Sequence, residues 1–287
     1  MDVLITPEIE QLIKTALEED IGAGDLTTLS TVPAELRGKG LFRAKRDGVV
    51  AGLFLLEKIF SCLDIHVKVR CLTKDGEHVK QGTVVAEVDG PVRALLMGER
   101  TALNFLQRLS GTATLTRRYV DAVKEFPCKV IDTRKTTPGL RTLEKYAVRM
   151  GGGSNHRLGL YDAGLIKDNH IVAAGSIAKA VEKVRRHAPF MVKVEVECSD
   201  LKQVQEALDA KADVIMLDNM GTKGMAEAVK LINKRAWVEA SGGITIERIR
   251  EVAESGVDFI SVGALTHSAP AVDFNMKVAS PATKNNG

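Results

Sequence analysis

From Lys129 onward the chain settles into one rhythm. Short apolar runs, CKVID, AGLIKDN, VKVEVEC, DVIMLDN, WVEASGG and DFISVGA, alternate with amphipathic stretches such as SIAKAVEKVRRHA, SDLKQVQEALDA and TIERIREVAESG. Runs of strand length separated by helices are βα units, so the sheet they build is parallel. Six strands are countable, and the stretch between Arg141 and Leu160 has room for a seventh. The pattern therefore predicts a TIM-like parallel α/β barrel of about seven strands. No GxGxxG follows a first strand, which weakens the open, doubly wound alternative.

The first hundred residues read differently. An amphipathic start (Ile5, Ile9, Leu12, Ile13, Leu17) leads into the β-type runs GLFRAKRDGVVAG, DIHVKVRCL and TVVAEVDGPV. A long helical pattern then begins near Leu95. The expected organisation is an N-terminal α+β sandwich domain over residues 1–112 and a barrel over 113–270. A C-terminal segment over 271–287 is expected to pack back on the first domain and end in the polar tail SPATKNNG. At 287 residues and 45% hydrophobic content the chain can fill such cores.

Charge narrows the function. A formal net charge of +3 gives no global case for nucleic acid or membrane binding, so an anion site must be a local cluster. Such a cluster exists in DTRKTTPGLRTLEKYAVRMGGGSNHR, with Arg134, Lys135, Arg141, Lys145, Arg149, His156 and Arg157 around three glycines. Four cysteines without a CxxC pair or a histidine at ligand spacing fit reduced thiols better than a disulfide framework or a zinc site. An acidic N-terminus and the lack of a long apolar run point to a cytoplasmic protein.

In a parallel barrel the C-terminal strand ends share one face, where active sites gather. Polar residues can follow strands merely because strands end in solvent, and Asp or Asn there can cap helices. Neither accounts for lysine, glutamate and aspartate at the ends of otherwise apolar strands. Arg134, Lys135, His156, Arg157 and Lys167 suit carboxylates and phosphates, and Gly151 to Gly153 would let backbone approach a ligand. Ser241-Gly242-Gly243 and Gly263-Ala264-Leu265 follow the last two strands, where barrels commonly bind phosphate. Glu197 and Asp218 end neighbouring strands and could share a hard cation such as Mg²⁺. Strand parity puts Lys193, Glu195 and Glu197 on one face and aligns Glu239 with Ser241, so Lys193 is expected to pair with Glu195 or Glu239 beneath the site.

These residues carry a resemblance. EDIGAGDLTT, GERTALNFLQRLSGTAT, DTRKTTPGLRTLEKYAV, GGGSNHRLGLYDAGLIKDNH, VEVEC, LDN, EASGGI and VGALTH run in order through nearly the whole chain. Together they resemble the quinolinate phosphoribosyltransferases, also called decarboxylating nicotinate-nucleotide pyrophosphorylases. The resemblance implies an N-terminal sandwich domain, an open α/β barrel and a homodimer with shared active sites, with dimer and hexamer left open as the final assembly. It also implies transfer of phosphoribosyl from phosphoribosyl pyrophosphate to quinolinate with Mg²⁺, releasing pyrophosphate and CO₂ for NAD synthesis.

By the same resemblance Arg134, His156, Arg157 and Lys167 would hold the quinolinate carboxylates, with Lys135 nearby and Arg100 reaching in from the other subunit. Glu197 and Asp218 would face the ribose and the metal, and Lys135 or Lys167 would serve decarboxylation. Ser241, Gly242, Gly243, Gly263 and His267 would line the 5′-phosphate site.

Two other readings compete with this one. A nicotinate phosphoribosyltransferase, or a molybdenum-associated pyrophosphorylase-like paralogue, shares the fold, but the density of cations favours a dicarboxylate. KDGEHVKQGTVVAEVDGPV has the rhythm of lipoyl and biotin carrier domains without their MKM-like tip, so it reads as a shared hairpin only.

Overall fold

The computed structural model describes residues 5–279, and the tail SPATKNNG lies outside them. The chain divides into two compact units: one of residues up to Thr114 together with those from Ala269, the other Leu115–Ser268.

The first unit begins with α1 (Pro7–Ile21), whose start is set by the Thr6 hydroxyl accepting the Ile9 N–H and by proline at the first helical position. After α2 (Leu26–Thr31) come β1 (Arg37–Ala44), β2 (Gly48–Val49), α3 (Phe54–Ser61), β3 (Lys68–Cys71), β4 (His78–Val79) and β5 (Val84–Pro91). The main sheet is antiparallel and four-stranded, with β1 paired on one side with β5 and on the other with the chain's last strand, Phe274–Ala279. β3 closes the far edge beside β5. Phe42 of β1 meets Phe60 of α3 edge to face at 6.1 Å, joining sheet and helix in one core. The segment that resembles a carrier hairpin supplies β4 and β5. The boundary between the units falls inside α4 (Val92–Ala122).

The second unit holds the βα repeats. Its strands are β6 (Lys129–Ile131), β7 (Gly164–Ile166), β8 (Val194–Cys198), β9 (Val214–Asp218), β10 (Trp237–Ser241) and β11 (Phe259–Ser261). All pair in parallel in the order β6-β11-β10-β9-β8-β7, so the last strand closes against the first. The seventh position expected between Arg141 and Leu160 is one parallel bridge, Ser154 to Ile131, on the free side of β6. Three glycines and a bend leave no run of extended residues there.

The helices are α5 (Arg141–Met150), α6 (Asp168–Ala174), α7 (Ile177–His187), α8 (Leu201–Asp209), α9 (Thr222–Ile232), α10 (Ile249–Glu254) and α11 (Ala264–His267). Ser176 and Asp200 cap α7 and α8 by accepting the N–H groups of Lys179 and Gln203. Val194, Val196, Ile215, Leu217, Val238, Ala240 and Ile260 face outward into a core shared with Val204, Met225, Ile232 and Val252 of the helices. The alternate residues, Glu195, Met216, Glu239 and Ser261, therefore fill the interior, where polar and charged groups stand among apolar ones.

Candidate active site

At the C-terminal ends of the barrel strands lies a cavity of about 540 Å³. Going round it, the β6 loop brings Arg134 and Lys135, the segment after Ser154 brings His156 and Arg157, and the end of β7 brings Lys167. Glu197 stands next to last in β8, before Cys198, Asp218 ends β9 with Asn219 just after it, and Ser241 ends β10 with Gly242 and Gly243 following. One side of the mouth is cationic, the next carboxylate, and the next glycine-rich.

The pieces are held locally. The Lys167 ammonium lies 3.3 Å from Glu197 Oε2. Asn219, at φ +54, turns its amide back to donate to Asp218 Oδ2 at 2.8 Å. Gly242 has φ +95, and a Cβ there would stand 2.2 Å from Asn219 Oδ1, so only glycine fits the turn. Gly263 lies beside the Lys135 stem and the His267 ring, and Thr266 donates its hydroxyl to the Lys135 carbonyl at 2.7 Å. His267, exposed, contacts the Ser268 hydroxyl at 2.5 Å. Ala264 is half-buried, whereas Leu265 points its side chain into the core and directs its N–H to the Val262 carbonyl. Arg100 lies exposed on α4 in the first unit.

Beneath the mouth is a charged layer. His156 Nε2 stands 3.1 Å from Glu195 Oε2 and 3.4 Å from Glu239 Oε2, while its Nδ1 accepts the Arg157 N–H at 2.7 Å. Burial alone would lower the His156 pKa, but the bonds to Glu195 and Glu239 outweigh it and raise it to about 10. A second ring proton would have to sit on Nδ1 and break the bond from Arg157, so the proton that the geometry fixes is the one on Nε2. Burial pushes Glu195 up to about 7, against the pull of His156. Arg157 is held below its usual range by burial and then by Arg134, and it donates from Nη1 to the Ala163 carbonyl at 2.9 Å.

This layer corrects the expectation for Lys193. That lysine precedes β8 at the opposite end of the barrel and lies exposed, 5.8 Å from the Trp237 ring centre. The partner between Glu195 and Glu239 is instead the His156 ring, because residue 193 is too low on the strand to reach the middle of the barrel. The parity argument places Glu195, Glu197, Glu239 and Ser241 on the inner face, where they are found.

Two other readings change. Lys145 does not face a ligand: it is 1% exposed and pairs with Asp132, itself fully buried, while also donating to the His156 carbonyl at 3.0 Å. Asp132 further accepts from Asn155 Nδ2 at 2.6 Å and from the His156 N–H at 2.9 Å. Burial raises the Asp132 pKa and lowers that of Lys145. Arg141 and Arg149 are likewise taken up in local bonds, to Thr136 Oγ1 and the Leu158 carbonyl, and to Asn155 Oδ1. Gly153 serves packing rather than a ligand, since a Cβ there would come within 2.8 Å of Thr116 and 2.9 Å of Val148, and Gly152 serves the turn, at φ +90. His170 accepts the Lys167 N–H at 3.0 Å and so caps α6. Thr133 and Asn219 fall on the rim by the same strand-end pattern and line the cavity wall, although the sequence assigned neither a role.

Residues 112–277 match the family model described as "Quinolinate phosphoribosyl transferase, C-terminal domain", and residues 25–110 match that of its N-terminal domain. A probable nicotinate-nucleotide pyrophosphorylase [carboxylating] of Synechocystis is 48% identical, over 96% of this chain and 93% of its own. One of the same description from Bacillus subtilis is 47% identical, over 94% and 93%. The crystal structure of NadC from Streptococcus pyogenes superposes with a TM-score of 0.93 at 44% identity, covering 97% of this chain and 99% of that one.

Proposed function

The chain belongs to the quinolinate phosphoribosyltransferase family, and from that premise we propose that it transfers phosphoribosyl from phosphoribosyl pyrophosphate to quinolinate, releasing pyrophosphate and CO₂ and leaving nicotinate mononucleotide for NAD synthesis. The observation that carries the reading is the order of chemistry around one cavity. Cations on β6, the Ser154 segment and β7 are followed by carboxylates on β8 and β9 and by the glycine turn on β10. The product has the same order: acidic pyridine, ribose, phosphate.

Arg134, Arg157 and Lys167 suit the two acceptor carboxylates, with Lys135 beside them. Ser241, Gly242, Gly243 and Gly263 suit the 5′-phosphate, and His267 stands next to Gly263. As the bond from C1 to pyrophosphate breaks and the pyridine nitrogen attacks, positive charge grows on the ribose, and Glu197 and Asp218 face it. No side-chain nucleophile is needed. The cationic ring nitrogen then stabilises the electron pair left on C2 when CO₂ departs, and a lysine of the rim, Lys135 or Lys167, can deliver the proton that C2 takes up with that pair.

Glu197 and Asp218 offer carboxylate oxygens on one cavity wall, a donor set that suits Mg²⁺ alongside water and phosphate oxygens. When bound, the ion would neutralise charge on the departing pyrophosphate. The reading includes a homodimer in which Arg100 of one copy completes the other's cationic wall. Exposed Leu158, Leu160 and Tyr161 beside Arg157 support a covering partner. It also sets the enzyme in the cytoplasm, which the four free cysteines support; no helix among the described residues is long and apolar enough to cross a membrane.

The test is CO₂ release from carboxyl-labelled quinolinate with phosphoribosyl pyrophosphate and Mg²⁺. No release, or equal use of nicotinate as acceptor, rejects the reading.

A further inference from the structure

The His156 layer separates two cavities. His156, Arg157 and Glu239 border the upper one, and the same residues with Glu195 border a lower cavity of about 430 Å³ that opens among Lys129, Val214 and Phe259 at the strand starts. Barrel interiors are usually filled by branched apolar side chains, and buried carboxylates carry a desolvation penalty that such residues avoid. Here two occupy the middle, 5% and 2% exposed, facing a single imidazole. A hydrogen bond from Nε2 that served the fold alone would need one of them. In addition, Oε1 of each lacks a hydrogen-bond partner.

What the second carboxylate adds is direction. Glu195 comes from β8 and Glu239 from β10, the two strands flanking β9, so the ring is held from two sides. The backbone of His156 is also fixed, its N–H by Asp132 and its carbonyl by Lys145. With the ring immobile, Nδ1 becomes a fixed acceptor for the Arg157 N–H. Arg157 is thus anchored at its backbone by His156 and at its guanidinium by the Ala163 carbonyl. Both ring nitrogens of His156 are engaged within the protein, which leaves the ring little to offer a ligand directly.

We propose that Glu195 and Glu239 are positioning residues that act through the His156 ring on the Arg157 backbone, setting the guanidinium that receives the acceptor carboxylate. The inference rests on the proposed reaction, in which Arg157 binds that carboxylate. His156 then contributes to acceptor binding through Arg157.

The test is a double-mutant cycle on the full-length enzyme with CO₂ release as the assay and quinolinate binding by calorimetry alongside. Glu239→Ala and Glu195→Ala should raise KM and Kd for quinolinate about tenfold or more, since small misplacement of a binding group is costly. Both kcat and KM for phosphoribosyl pyrophosphate should stay within about threefold. Glu239→Gln and Glu195→Gln keep an acceptor for Nε2–H and the side-chain volume, so they should recover most of the binding; they also serve if an alanine variant fails to fold. In the background of Arg157→Ala, Glu239→Gln and Glu239→Ala should add no further loss, because the pathway is already cut.

Losses that multiply in the double variants overturn the proposal. So does an unchanged quinolinate KM in folded alanine variants, or a fall in kcat alone. Stoichiometric transition metal in the purified enzyme, lost on Glu239→Gln, would make the layer a metal site and equally overturn it. If the unmodified protein releases no CO₂ from quinolinate, the reaction assignment fails instead, and the two failures are told apart by that first measurement.

Discussion

Replacing Lys145 by methionine keeps most of the side-chain volume and removes the cation that faces Asp132 in a place where neither side chain is more than 1% exposed. The stranded carboxylate cannot be rehydrated by a surface rearrangement, because it is fully buried beneath the His156 segment. Breaking such a pair by removing one partner costs about 3–5 kcal/mol. Two donors survive, Asn155 Nδ2 at 2.6 Å and the His156 N–H at 2.9 Å. Those charge-assisted bonds hold the expected loss to the lower half of that range, about 3–4 kcal/mol, and at about 2–4 °C per kcal/mol the midpoint should fall by about 6–16 °C. Arg250→Ala is the control. Arg250 lies only 2.7 Å from Glu125, but the side chains are 55% and 60% exposed, and such pairs contribute no more than about 1 kcal/mol. Both variants should be followed by calorimetry and by urea unfolding at one pH and salt concentration. A further Asp132→Asn change in the Lys145→Met background should recover part of the loss by removing the stranded charge. The reasoning is refuted if Lys145→Met is no more damaging than Arg250→Ala.

The remaining predictions concern the reaction. Glu197→Ala and Asp218→Ala should lower kcat by about 10²-fold or more while changing quinolinate Kd far less, because both carboxylates act on charge that appears as the ribose bond breaks; unchanged turnover in both variants removes them from the mechanism. Arg100→Ala and Lys135→Ala homodimers should each be inactive, and random reassortment should restore about one quarter of wild-type activity if Arg100 acts in trans; no recovery, with exchange confirmed by mass-tagged subunits, rejects shared sites. Gly242→Ala should displace the Asn219 amide and raise KM for phosphoribosyl pyrophosphate, with about 1–3 kcal/mol of strain at its positive φ; a wild-type KM and midpoint would mean that the turn relaxes freely.

Much of the barrel could be read from the chain alone, because burial on a parallel sheet is a local signal. Val194, Val196, Ile215 and Leu217 recur at the period of a strand, and the polar residue that ends each run falls on one rim once the strands are parallel. Glu197, Asp218, Ser241 and Lys167 were legible for that reason. The inner face of β8 and β10 followed from the same parity, so two buried glutamates were expected before their partner was known.

What needed the tertiary structure was the choice of partner and the fate of each charge. Strand parity says which face Lys193 shares, but its height along the barrel decides what it can reach, and that height puts it beside Trp237. His156 meets carboxylates 39 and 83 positions further along the chain, a juxtaposition created by the closing of the sheet. Lys145 and Arg157 look alike in a cationic stretch, yet one is locked to Asp132 in the interior while the other borders the cavity. Gly153 reads as a ligand loop until Thr116 and Val148 are found pressed against it. A sequence records which residues can be charged or small; whether a charge is neutralised, presented or stranded depends on distances between elements, and those are set only when the barrel closes.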